Sequence, residues 1–200
     1  MQMRKICRLL CLVLALLTAC SQGINWREVT VKDTGLQIWL PCKPVDVSKN
    51  IPLGSDPELG QVKVTMVGCE KDGQQFTVSY ISTQLNEGET KSTPKGSKPQ
   101  LKSLTTQEWQ AMLQRGSLSS IGYDPQVALQ EWTKIKGNLN PSAKYTQVNG
   151  TRGVNAQFVW FGYENTIFQL AYYKSSESKE TASEQEMAET FLTSAKLIGI

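Results

Sequence analysis

The first twenty residues constrain this chain most, because they decide which part of it folds and where. Arg4, Lys5 and Arg8 carry positive charge, Leu9 opens an unbroken apolar run of nine residues ending at Leu17, and Thr18 and Ala19 lead into Cys20. A positive flank, a short apolar core and small residues at a cut are what a secretory signal requires. The run falls well short of the ~20 apolar residues that span a bilayer as a helix. The expectation is that residues 1–19 direct export and are then removed, and no later stretch is long and apolar enough to span.

Leu17-Thr18-Ala19-Cys20 resembles a bacterial lipobox. That resemblance implies transfer of diacylglycerol to the Cys20 thiol, cleavage between Ala19 and Cys20, and acylation of the new amino group by a palmitate-like chain. A thiolate is the nucleophile such chemistry needs. Each buried methylene contributes about 0.8 kcal/mol, and two or more chains anchor stably where one does not. Ser21 follows the cysteine, where an aspartate would be the inner-membrane retention signal of the common sorting rule. The resemblance therefore implies an outer-membrane anchor with the domain facing the periplasm. Cys7 and Cys11 depart with the leader, and the lipid on Cys20 is the sole non-protein group expected, with no cofactor and no metal.

What remains is a tether, residues 20–25, and one domain, residues 26–200. The five residues after Cys20 reach at most ~17 Å extended, so the domain sits close to the bilayer. The formal net charge of +3 comes from 21 basic and 18 acidic residues, and three of the basic ones leave with the leader. An electrostatically neutral domain gives no footprint for nucleic acid. Histidine is absent, which excludes a Ser-His-Asp or Cys-His nucleophile, an imidazole base and imidazole metal ligands. Cys42 and Cys69 are the cysteines left over, and in an oxidising compartment they are expected to pair. Such a loop closure stabilises by ~3 to 4 kcal/mol in the chain-entropy model. If the segments ending at the two cysteines were hairpin partners, however, Cys42 would face the wrong end of the second strand. A bridge then requires another strand order or a folded-back loop.

Along the domain, residues 26–31 and 36–40 read as strands around Lys32-Asp33-Thr34-Gly35, and residues 45–60 read as a loop carrying Pro52, Gly54, Pro57 and Gly60. Residues 61–70 alternate as a strand, Asp72-Gly73 marks a tight hairpin, and Phe76, Val78 and Tyr80 share a face of the return strand. Residues 82–103 form a long polar loop whose Lys91, Lys95, Lys98 and Lys102 read as a solvated insertion rather than a lipid or partner surface. Thr105 and Glu108 form a capping box for a helix ending at Gly116, and Asp124-Pro125 starts a second one ending at Gly137 that buries Trp132 and Ile135. Asn149-Gly150 is read as a hairpin turn, with Phe168, Leu170 and Tyr172 packing across from Phe158 and Trp160. The other face of these strands, with Val159, Phe161, Ile167 and Tyr173, is expected to be covered by helix. Ser183 and Glu186 cap a last helix burying Met187, Phe191 and Leu192, and residues 196–200 close the sheet as a strand.

This order of elements predicts an α+β domain with a largely antiparallel twisted sheet packed with helices. Leu40-Pro41-Cys42-Lys43-Pro44, Gly68-Cys69-Glu70 and Phe191-Leu192-Thr193-Ser194-Ala195-Lys196-Leu197 resemble a group of small proteobacterial lipoproteins. The layout is similar to the PsbP-like α/β/α sandwich, and that resemblance implies a non-enzymatic role. The expected function is an interaction module that binds another envelope protein. The alternative is a module binding a small or lipid-like ligand between sheet and helices. An enzyme is the weakest reading: Ser92-Thr93-Pro94-Lys95 and Ser176-Glu177-Ser178-Lys179 match Ser-x-x-Lys as a chain rich in serine and lysine does by chance, without companion motifs.

Overall fold

The computed structural model of the chain describes residues 24–52, 61–83, 104–124, 129–137, 142–177, 179 and 181–198. The chain is α+β, with eleven strands and two helices among the described residues. Strands β1 (Arg27–Val31) and β2 (Leu36–Leu40) form the expected hairpin, with Asp33 and Gly35 at positive φ in its turn. Leu36, Ile38 and Leu40 point inward while Trp39 points out, the period-two pattern of a strand with one buried face.

Part of the expected 45–60 loop is instead a strand. β3 (Val45–Pro52) pairs antiparallel with β4 (Gln61–Lys71), Val45 opposite Gly68 and Val47 opposite Met66. Its Val45, Val47 and Ile51 alternate with Asp46, Ser48 and Asn50, a signal masked by the prolines and glycines that follow; residues 53–60 lie outside the described set. β4 turns through Asp72 and Gly73, both at positive φ, into β5 (Gln74–Ser82), as a tight primed hairpin requires. Beyond Ser82 and Thr83, the polar loop and its four lysines lie outside the described residues.

Helix α1 (Thr106–Ser120) starts at the expected capping box: Thr105 N–H donates to Glu108 Oε2 at 2.7 Å, and Glu108 N–H donates to Thr105 Oγ1 at 3.3 Å. It runs past Gly116, because Leu118 is buried against the sheet and holds the last turn. One glycine costs a helix about 1 kcal/mol, less than that burial returns.

The second helix predicted from Asp124 to Gly137 is replaced, over its described part, by β6 (Gln130–Trp132) and β7 (Lys136–Gly137); residues 125–128 are outside the described set. The free edge of β8 (Ala143–Asn149) decides this. β6 pairs with it, Gln130 opposite Tyr145, and Trp132 stacks on the Tyr145 ring at 4.8 Å. Cross-strand pairing and aromatic contact outweigh a helical spacing carried by only a few apolar residues.

β8 joins β9 (Val154–Tyr163) not through a two-residue turn at Asn149-Gly150 but through residues 150–153. The loop is widened because it docks on the end of α1: Thr151 Oγ1 donates to Gly122 O at 2.9 Å and Arg152 Nη1 to Ser120 O at 3.0 Å. β9 then turns at Glu164-Asn165 into β10 (Thr166–Ser175). The register corrects the expected packing: Phe158 lies opposite Ala171 and Trp160 opposite Gln169, whereas Phe168, Leu170 and Tyr172 share the other face with Phe161, Val159 and Gln157. Both faces are covered, as expected. Helix α2 (Ala182–Thr193) is capped by Thr181 and Glu184 rather than Ser183 and Glu186, and β11 (Lys196–Leu197) follows it.

The strands form a seven-stranded antiparallel sheet, β3-β4-β5-β10-β9-β8-β6, and a small sheet, β1-β2-β11-β7, in which β7 and β11 run parallel. α1 covers one face of the large sheet, burying Trp109, Leu118, Phe158 and Trp160. On the other face α2 and the small sheet enclose the main core, where the Phe76 ring meets Tyr172 at 5.3 Å and Phe191 at 5.6 Å. Gln169 is the polar centre beneath α1: Trp160 Nε1–H donates to its Oε1 at 2.8 Å, and Ser117 Oγ donates to the same oxygen. Gln169→Leu leaves the buried indole N–H unsatisfied and is predicted to lower stability by about 1–3 kcal/mol in chemical denaturation followed by tryptophan fluorescence; unchanged stability would show that this bond does not hold α1 down.

Candidate functional site

Cys42 and Cys69 form a disulfide with their Cα atoms 5.8 Å apart. The strand order makes this possible. β2 belongs to the small sheet, and the chain then folds back so that β3 runs antiparallel to β4, bringing Cys42 to the end of β4 where Cys69 lies. The bond therefore ties the small sheet to the large one and fixes where β3 starts. Gly68 beside it has no room for a side chain, since a Cβ would lie 2.5 Å from Phe76 O and 2.9 Å from Thr77 Cγ2. Ala19 and Cys20, the expected cleavage and lipidation site, are outside the described residues, as is Ser92-Thr93-Pro94-Lys95. Ser176 and Lys179 are both exposed. Among the described residues no group of three or more Cys, Asp or Glu side chains converges to hold a metal, and no helix is long and apolar enough to cross a membrane.

What the disulfide positions is an open sheet edge. β3 is the outermost strand next to β4, and its other side is paired to no strand among the described residues. Val45, Val47 and Ile51 on it are 65%, 51% and 42% exposed, and Met66 beside Val47 is 39% exposed. Cross-strand register puts Met66 on the side of Ser79, Gln169 and Trp160, so this stripe faces the same way as α1. α1 lies over β9 and β10 and leaves the stripe bare. Lys43 and Lys49 flank it and are exposed. A long edge strand with alternating exposed apolar side chains is a ready template for another strand. Sequence reading missed this surface because it placed residues 45–60 in a loop; the alternation of Val45, Val47 and Ile51 was the signal available.

Two cavities lie at the opposite ends of the β9 and β10 strands from the β9–β10 turn. One, of about 380 Å³, is lined by Gln75, Ile121, Val154 and Tyr173 and is mostly apolar. The other, of about 130 Å³, is lined by Gln147, Asn149, Asn155, Gln157 and Lys174 and is polar. No family model matches the chain, and neither a curated protein nor a solved structure does.

Tyr173, at the first cavity, packs edge-on against Phe158 at 5.5 Å. Burial pushes its phenol up from the ordinary 10.0 to about 12. An unfolded tyrosine ionises near pH ~10 while this one stays neutral, so its contribution to stability is complete below pH ~10 and is lost as pH rises toward about 12. The predicted loss is roughly 2–3 kcal/mol. Tyr173→Phe should flatten that part of the stability–pH curve and remove one late-titrating phenol from the ultraviolet titration; an unchanged titration would refute the assignment.

Proposed function

We propose that the chain is an outer-membrane lipoprotein, anchored through lipid on Cys20, whose periplasm-facing domain is a non-catalytic interaction module. The β3 edge is the binding surface. The observation that carries this reading is the run of exposed Val45, Val47 and Ile51 along an eight-residue edge strand, with Met66 alongside. An extended segment of another envelope protein adds to such an edge through main-chain hydrogen bonds, and its alternate side chains give specificity. Apolar residues at every second position suit the valines, and an acidic residue suits Lys49. Tethering so near the bilayer limits the search for that partner to the membrane plane.

The lipid-like ligand reading has less support. Phe76, Tyr172 and Phe191 fill the space between sheet and helix, and both cavities described above lie at strand ends.

The test is a photo-crosslinking residue placed at Val47 in whole cells, with Glu186 on the exposed side of α2 as the control position. The expected result is one discrete adduct from position 47, mapping to an extended segment of one envelope protein, absent at position 186 and lost in Cys20→Ser. Equal adducts at both positions, or none at 47, would overturn the proposal.

A further inference from the structure

Away from the β3 edge, the face of the large sheet that forms the main core changes character toward the end of β10. Its central row is apolar, Val78, Leu170 and Val159 lying side by side. The next row ends in Tyr172, Gln157 and Gln147, and the one after in Lys174, Asn155 and Asn149. Strand register thus sets four carboxamides and one ammonium around the 130 Å³ cavity. Cross-strand neighbours stand about 4.5–5.5 Å apart at Cβ, so these groups converge on one small volume.

Three observations restrict what fits there. Asn155 Oδ1 is buried and has no hydrogen-bond partner among the described residues. A buried acceptor left unmatched costs about 1–3 kcal/mol, so the site favours a hydroxyl or amine donor. Lys174, which is 6% exposed, has its Nζ 4.0 Å from Glu184 Oε2. Glu184 is itself held by Thr181 N–H at 2.8 Å and by Gln74 Nε2 at 3.4 Å, so the carboxylate is fixed and the pair is electrically balanced. No net charge remains to favour an anion. The lining is amide rather than hydrocarbon, which disfavours an apolar ligand. At one margin the Tyr145 hydroxyl stands 3.2 Å from Gln157 Oε1, fixing that amide, and its ring stacks on Trp132.

We propose that this pocket binds a neutral saccharide ring. Each carboxamide offers a donor and an acceptor side by side, the complement of a pair of vicinal hydroxyls. The Asn155 side chain turns its Oδ1 out of its closed position to accept from one hydroxyl, the amides of Gln157 and Gln147 donate to others, and the ring displaces the roughly four waters such a volume holds. The site goes beyond the interaction surface at β3, from which β4 and β5 separate it.

The experiment uses the full chain purified in detergent, with glucose, galactose and N-acetylglucosamine as neutral probes and glucuronate as the charged one. Binding is read by saturation transfer to the sugar and by shifts of the side-chain amide signals. At least one neutral sugar should shift the Asn155 and Gln157 amides. Asn155→Leu should weaken it by about tenfold or more. The exposed variant Gln147→Ala, whose folding is not at risk, should weaken it measurably too. No response to any neutral sugar at tens of millimolar would overturn the proposal, as would a response to glucuronate alone or binding that neither variant changes.

Discussion

The structure depends on β10 being buried on both faces. Phe168, Leu170 and Tyr172 enter the main core, while Ile167, Gln169 and Ala171 lie under α1, and β5 and β9 pair along nearly its whole length. A strand in that position admits no slip, since a shift of one residue would exchange its two faces and drive Gln169 into the main core. The register of β10 therefore sets β9 and β8 on one side and β5 and β4 on the other. β3 lies three strands away at one edge of the sheet, and the Cys42–Cys69 bond holds its start.

Much of this was legible in the sequence where a local signal and the tertiary outcome coincide. The hairpin at Asp72-Gly73, the Thr105–Glu108 box and the inward set of Leu36, Ile38 and Leu40 follow from backbone preference and period alone. The expectation failed where long-range contacts decide. Trp132 has helical spacing to Ile135 yet joins a strand, because the edge of β8 and the ring of Tyr145 are available to it. Asn149-Gly150 has turn chemistry, but Thr151 and Arg152 find acceptors at the end of α1 and open the loop. Phe158 and Trp160 were paired with Phe168, Leu170 and Tyr172 because strands apolar on both sides carry no alternation from which to read the face.

The candidate surfaces were less legible than the fold, for a related reason. Neither depends on a motif. The stripe at Val45, Val47 and Ile51 becomes visible only once β3 is known to be an outermost strand. The amide pocket likewise exists because Gln147 and Asn149 on β8, Gln157 and Asn155 on β9 and Lys174 on β10 fall into adjacent rows of one sheet, and α2, the next element after β10, sets Glu184 beside Lys174. The cysteine pair was legible from the cysteine count together with the expected export, and the geometric objection to it was met by β2 and β4 lying in different sheets.

A domain restrained at its centre is suited to presenting its long β3 edge, where we propose that an extended partner segment binds. The most direct measurement is backbone amide hydrogen exchange, comparing the purified domain with the same chain in native membranes. The amides of β3 that point away from β4 should exchange readily in the purified protein and gain protection in the membrane, while those of β10 are protected equally in both. Equal exchange of those β3 amides in the two states would contradict the proposal.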